Sequence, residues 1–224
     1  MPDVATYELI DQIAIVTMDD GKANAFSPDM IATVNGLLNR AEKEAKAVVL
    51  TGRDGIYSGG FDLRVIRGDD PQAAVDMRLG GTRLMMRLYG LPLPLVIAAS
   101  GHAIALGAFC LLTGDYRIGT AGDFRVGLNE TSIGMSLPPF GLMLARERLS
   151  KRYLTRATMA ATMFSSEEAK DAGFLDEVVP KENLRQRALN VATSYLALDG
   201  TAYASVKQGL RGESIATVLD GLDR

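Results

Sequence analysis

Ala47-Val48-Val49-Leu50-Thr51-Gly52 is a short apolar run closed by glycine, without the alternation of a strand that keeps one face in water. Such a run reads as a strand buried on both faces. The pattern recurs at Leu95-Val96-Ile97-Ala98-Ala99, ahead of Ser100-Gly101. Each run leads through a glycine-containing turn into a helical pattern, so the strands are expected to lie parallel, joined by helical crossovers, in an α/β fold. Upstream, Thr6 to Ile10 and Ile13 to Met18 read as a hairpin turning near Asp11-Gln12. Ser27 as N-cap, Pro28 at the first helical position and Asp29 in the first turn then open a helix through Ile31, Val34, Leu38 and Ala41. The charged stretch Arg40 to Lys46 reads as its solvated end.

Downstream of these elements, Pro71 to Tyr89 has helical spacing interrupted by Gly80-Gly81, where a bend or split is expected. Its Arg78, Arg83 and Arg87 read as a solvated face. Ser165-Ser166-Glu167-Glu168 is a capping box for a short helix that stops at Gly173, and Glu182 to Leu198 and Ala202 to Leu222 supply two terminal helical segments.

The 224 residues suffice for one large domain or one domain with a helical extension. A formal net charge of -3 gives no basic field, which argues against nucleic acid as a partner. The single cysteine, Cys110, excludes an internal disulfide and sits in an apolar run as an inert packed thiol. The single histidine, His102, excludes paired-histidine metal sites, and no Gly-x-Ser-x-Gly elbow or phosphate-binding glycine loop accompanies it. Met1 to Asp11 has acidic residues and no basic start, and no apolar run reaches membrane-spanning length. The expectation is a cytoplasmic protein without a membrane partner, or the processed form of an organellar one.

Four stretches then decide the reading. They are Lys22-Ala23-Asn24-Ala25-Phe26-Ser27, Tyr57-Ser58-Gly59-Gly60-Phe61-Asp62-Leu63, Gly101 to Asp115, and Gly127 to Gly134. In this order and spacing they resemble the crotonase, or enoyl-CoA hydratase/isomerase, superfamily. Asp115-Tyr116-Arg117-Ile118, the run Gly127-Leu128-Asn129-Glu130-Thr131 and the pair Pro139-Phe140 look most like its mitochondrial type of Δ3,Δ2-enoyl-CoA isomerase. The resemblance implies a spiral of ββα units giving two nearly perpendicular sheets. It also implies a core over residues 1–185 and a C-terminal helical region over 186–224 that packs in a homotrimer or a dimer of trimers.

It further implies an acyl-CoA thioester as substrate, with no metal or redox cofactor. The thioester oxygen would be held by the backbone N–H groups of Phe61 and Leu106, and Glu130 would be the acid/base group. Two positions depart from the family pattern. Leu106 stands where glycine is usual, and Phe109 stands where hydratases place a second glutamate. One carboxylate can move a proton between two carbons, whereas adding water calls for two acid/base groups, so isomerisation is the first reading. Hydration or thioester hydrolysis is the second, and an inactive acyl-CoA-binding protein, favoured by Leu106, the third.

The expected substrate contacts are Lys22, Ala23, Asn24 and Ala25 on the first stretch, Ser58, Gly59, Gly60, Asp62 and Leu63 on the second, and Phe109, Asn129 and Lys207. Lys22 and Lys207 are the candidates for the CoA phosphates. Leu128, Ile133, Met135 and Leu137 are expected to desolvate Glu130, and Met85 and Met86 to line an acyl pocket. Asp62 and Asp115 read as hydrogen-bonding residues of turns or helix ends, and His102 as structural.

Overall fold

The structure is a computed structural model that describes residues 3–222; Met1 and Pro2 of the expected core region and the last two residues of the C-terminal region lie outside it. The chain opens as the hairpin expected, β1 (Ala5–Ile10) and β2 (Ile13–Met18), with Ala5 opposite Met18 and Ile10 opposite Ile13. Asp11 and Gln12 both have positive φ, 45° and 68°, which is what a two-residue hairpin turn matching the strand twist demands. Helix α1 (Pro28–Glu44) begins where the capping pattern placed it, the Ser27 side chain accepting from the Met30 N–H. Its Met30, Ile31, Val34, Leu38 and Ala41 form the buried stripe.

Three successive turns of chain then repeat one plan. β3 (Ala47–Gly52) and β4 (Gly55–Ser58) lead into the short α2 (Leu63–Ile66) and α3 (Pro71–Tyr89). β5 (Leu95–Ala99) and β6 (Gly101–Ile104) lead into α4 (Leu106–Thr113). β7 (Tyr116–Thr120) and β8 (Val126–Gly127) lead through a 3-10 turn, Thr131–Ile133, into α5 (Pro139–Arg148). The first strand of each turn joins a six-stranded sheet of order β1-β2-β3-β5-β7-β9, and the second joins a three-stranded sheet, β4-β6-β8. This is the spiral of ββα units implied by the motifs. The chain finishes with α6 (Leu154–Thr158), α7 (Ser166–Ala172), β9 (Glu177–Val179), α8 (Leu184–Tyr195) and α9 (Gly200–Asp220).

The apolar runs are buried on both faces, as read. Val48 and Leu50 of β3, with Leu95 and Ile97 of β5, face the main core against α1, α3 and α4. Their neighbours Ala47, Val49, Val96 and Ala98 face a second core closed by Leu184, Ala188, Val191 and Ala192 of α8. The 185/186 division therefore falls inside α8, a helix packed on the sheet. The box at Ser165 and Glu168 forms reciprocally, and Gly173, at φ 93°, stops α7.

Two expectations for α3 are corrected. The helix runs unbroken through Gly80-Gly81. Gly81 is needed for space, since a methyl group there would stand 2.5 Å from the Phe61 ring. Arg87 is not simply solvated: it donates to the carbonyl and side chain of Asn35 and pairs with Glu42 at 2.7 Å, tying α3 to α1. Among the described residues no helix is long and apolar enough to cross a membrane.

Candidate active site

Two sharp turns of backbone create the site. Gly60 has φ 96° and Ala105 has φ 53° with ψ -122°, a conformation that costs a non-glycine residue about 1 to 3 kcal/mol. Each immediately precedes one of the expected amide donors, Phe61 and Leu106. Leu106 is the first residue of α4, where helix N–H groups are free and the positive end of the dipole lies. The two turns are in contact. A methyl group on Gly60 would stand 3.0 Å from Ala105 Cβ and 3.4 Å from the Leu106 nitrogen.

The first turn is held by the Lys22 to Ala25 segment. The buried Asn24 side chain donates to the carbonyls of Met18 (2.9 Å), Ile56 (3.2 Å) and Tyr57 (3.3 Å). Ser58 Oγ donates to the Asn24 carbonyl and accepts from the Gly60 N–H. Gly59 N–H donates to the Ala23 carbonyl, and Phe26 N–H to the Gly60 carbonyl, each at 2.8 Å. The Asn24 and Ser58 side chains are thus committed to shaping the turn. Ala25 N–H is held by Asp20, and Lys22 remains exposed on this laced segment.

Leu106 finds its room beside Gly81 of α3. Its side chain is buried and extends toward α3, with Cδ2 3.4 Å from where a methyl on Gly81 would lie. The glycine next to Leu106, Gly107, serves packing and not backbone freedom. Ala105 takes the positive φ, and Gly107 lets α4 approach β4, a methyl there lying 2.4 Å from the Ser58 carbonyl oxygen.

Glu130 follows β8, at the start of the 3-10 turn, where its carbonyl accepts from the N–H groups of Ile133 and Met135. The residue is 7% exposed. Glu130 Oε2 and Asn129 Oδ1 are buried without a hydrogen-bond partner among the described residues. Burial raises the Glu130 carboxyl above the usual carboxylate range. It faces a cavity of about 200 Å³ walled by Phe61, Leu106, Phe109, Met135 and Phe140, with Arg78, Thr82 and Ser136 as polar lining. Phe109 packs edge-on against Phe140 with centroids 5.4 Å apart. Phe61, Leu106, Phe109, Glu130 and Met135 are therefore brought to one cavity. Met135 alone of the four expected desolvating neighbours lines it, and Ile133 is exposed. The walls supplied by Phe140 and Thr82 were missed because they come from other helices; the Pro139-Phe140 pair was the available signal.

Other residues lie elsewhere. Lys207 is a correction: it is buried, 2.5 Å from Asp115 Oδ2 and bonded to the Leu93 carbonyl, so it is a structural cation and not a surface one waiting for a phosphate. Burial lowers its pKa even against the pull of Asp115. Asp115 also accepts from the Leu95 N–H and pairs with Arg211, a structural role as read; Asp62, expected both as a turn residue and as a substrate contact, has its carboxylate committed to the cap of α2 and to Arg64 at 2.7 Å. Leu63, 47% exposed, follows that cap on the surface. Met85 and Met86 belong to the core and not to the cavity at Glu130. His102 Nδ1 accepts from the Arg125 N–H, and Cys110 is buried, its thiol pushed up to about 12 by burial.

A ββα spiral that sets a desolvated carboxylate near two abutting backbone turns is a site suited to acid/base chemistry. The chain belongs to the enoyl-CoA hydratase/isomerase family, whose model matches residues 8–219. It is 30% identical to human mitochondrial enoyl-CoA delta isomerase 1 over 94% of this chain and 71% of that one. It is 28% identical to a probable enoyl-CoA hydratase of Rhodobacter capsulatus, over 90% of this chain and 79% of that one. The crystal structure of an enoyl-CoA hydratase/isomerase family protein from Pseudomonas syringae matches with a TM-score of 0.94 and 42% identity, covering 98% of this chain and 95% of that one.

Proposed function

We propose that this chain is a Δ3,Δ2-enoyl-CoA isomerase of fatty-acid β-oxidation. The thioester oxygen of a 3-enoyl-CoA accepts from the Phe61 and Leu106 N–H groups, which lowers the cost of the dienolate formed when C2 loses a proton. Glu130 takes that proton and returns it to C4, giving the conjugated 2-enoyl product. A raised carboxyl pKa suits both halves of the transfer, and a largely apolar cavity keeps the proton from exchanging with water. No metal or redox group is required by this chemistry. Asn129, the residue before the base, is assigned to accept from substrate or to hold the loop, a reading supported by its buried Oδ1, which has no hydrogen-bond partner among the described residues.

The observation that carries the reading is that Glu130 is the one carboxylate among the described residues lining its cavity, with the Phe109 ring as another part of the wall. Efficient hydration needs a second acid/base group near the water. The Rhodobacter capsulatus relative makes hydration the competing reading, and Phe109 weighs against it. The course of the Leu106 side chain toward Gly81, with its nitrogen beside the Gly60 turn, weighs against an inactive binder. Coenzyme A is assigned to the segment of Lys22, Ala23 and Ala25, with Gly59, Gly60 and Leu63 at its edge. We further assign the active form to the cytoplasm as a homotrimer or a dimer of trimers. Glu130→Gln tests the role of the base: turnover should fall by three or more orders of magnitude while acyl-CoA still binds, and retained turnover would refute it.

A further inference from the structure

Arg78 and Glu130 line one cavity of about 200 Å³ from different elements, α3 and the turn after β8, and do not pair. Arg78 has no carboxylate partner among the described residues. Its side chain makes one bond there, from Nε to the Ala74 carbonyl at 3.2 Å, a turn earlier on α3, which leaves both terminal nitrogens of the guanidinium without an acceptor. Arg87, further along the same helix, is by contrast taken up by Asn35 and Glu42. Nor does Arg78 offset the effect of burial on the Glu130 carboxyl, so the two charges stand apart. Thr82, one turn beyond Arg78 and buried, lines the same cavity; its hydroxyl donates to the Arg78 carbonyl at 2.9 Å, and Ser136 adds a second hydroxyl to the lining.

We infer that the substrate is a short acyl thioester whose chain ends in a second carboxylate, held by the Arg78 guanidinium while Glu130 acts nearer the thioester. The inference rests on the acyl-CoA reading proposed above and narrows its substrate class. The planar fork of arginine matches a carboxylate through two parallel N–H bonds, and a chain without that group leaves the fork unused. Size agrees with this assignment. An apolar cavity of about 150 Å³ takes a six-carbon ring, so a space of about 200 Å³ takes a chain of about six carbons with its terminal group. Arg78 as a whole is exposed, so its charge is solvated in the empty site, and a carboxylate drawn to it is paired without being stranded in an apolar interior.

The test is calorimetry with two saturated thioesters that have no double bond to move: adipoyl-CoA, which ends in a carboxylate, and hexanoyl-CoA, which does not. The wild type should bind adipoyl-CoA more tightly. Arg78→Met, which keeps an apolar stem without the charge, should weaken adipoyl-CoA about tenfold or more, the size of a charge-assisted hydrogen bond, and leave hexanoyl-CoA within about twofold. Arg78→Lys, which keeps the charge without the fork, should lose less. A wild type that prefers hexanoyl-CoA, or an Arg78→Met variant with both affinities unchanged, would overturn the inference. Equal losses for the two thioesters would place Arg78 on the CoA phosphates and overturn it as well. Binding of neither thioester to the wild type would refute the underlying acyl-CoA reading and this inference with it, whereas a failure confined to adipoyl-CoA leaves that reading intact.

Discussion

The Cα of Gly60 lies so close to the start of α4 that a methyl group on it would be 3.4 Å from the Leu106 nitrogen. The residue after Gly60 is Phe61, so this approach sets the two assigned oxyanion donors side by side. Gly60→Ala would add a side chain at φ 96° and press it against Ala105 Cβ and the Ile104 carbonyl. The donors should be forced apart, and kcat should fall on the order of 100-fold. Steady-state kinetics alongside a melting curve separates this from unfolding, since strain of this kind costs only about 1 to 3 kcal/mol.

The pH dependence of kcat/KM should carry an acid limb above the ordinary carboxyl value of 4.5, because burial raises the Glu130 pKa and only its ionised form accepts a proton. The sign for stability is opposite. A carboxyl whose pKa is higher in the folded protein contributes stability that is present at low pH and lost as pH rises through the folded value. Glu130→Gln should therefore melt higher than the wild type near neutrality, and the gap should close on acidification. An acid limb at the value of a free carboxyl would remove Glu130 as the base.

Gly81 lies on α3, outside the catalytic set, yet the Phe61 ring occupies the space a side chain there would take. Gly81→Ala would place a methyl 2.5 Å from that ring, and overpacking of this kind costs about 1 to 3 kcal/mol. The ring must turn, and the Phe61 amide with it, so kcat should drop along with Tm. Unchanged kcat in the folded variant would mean that the ring and the amide are uncoupled.

Lys207 and Asp115 are 5% and 6% exposed at their side chains. Lys207→Ala leaves Asp115 with Arg211 as its remaining cation, and breaking such a buried pair costs about 3 to 5 kcal/mol. Tm should fall steeply while the folded variant binds acyl-CoA with nearly wild-type affinity. A selective loss of CoA-ester affinity would instead restore Lys207 to the phosphates.

How much of this was legible in the sequence depends on the distance over which each feature is determined. β3 and β5 were legible because a strand covered on both faces must be apolar throughout, and Val48 and Val49 do face different cores. The helix starts at Ser27 and Ser165 were legible because a cap is satisfied within three residues. The second sheet was legible only through the resemblance, since β6, Gly101-His102-Ala103-Ile104, carries no periodic signal of its own and is defined by its parallel pairing with β4. Glu130 was legible through its motif. The fate of Leu106 was not, because it depends on the space left by Gly81 on another helix. Lys207 looked like a surface residue because its partner, Asp115, lies 92 positions away, and burial of the pair exists only once α9 has docked.

The most direct test of the account is the ultraviolet absorbance of the conjugated enoyl thioester when purified protein is mixed, in separate cuvettes, with a 3-enoyl-CoA and a 2-enoyl-CoA. An isomerase raises the signal from the 3-enoyl substrate and leaves the 2-enoyl signal unchanged. Bleaching of the 2-enoyl signal would reveal hydration and contradict the assignment, and no change with either would show that the abutting turns and Glu130 do not form a working site.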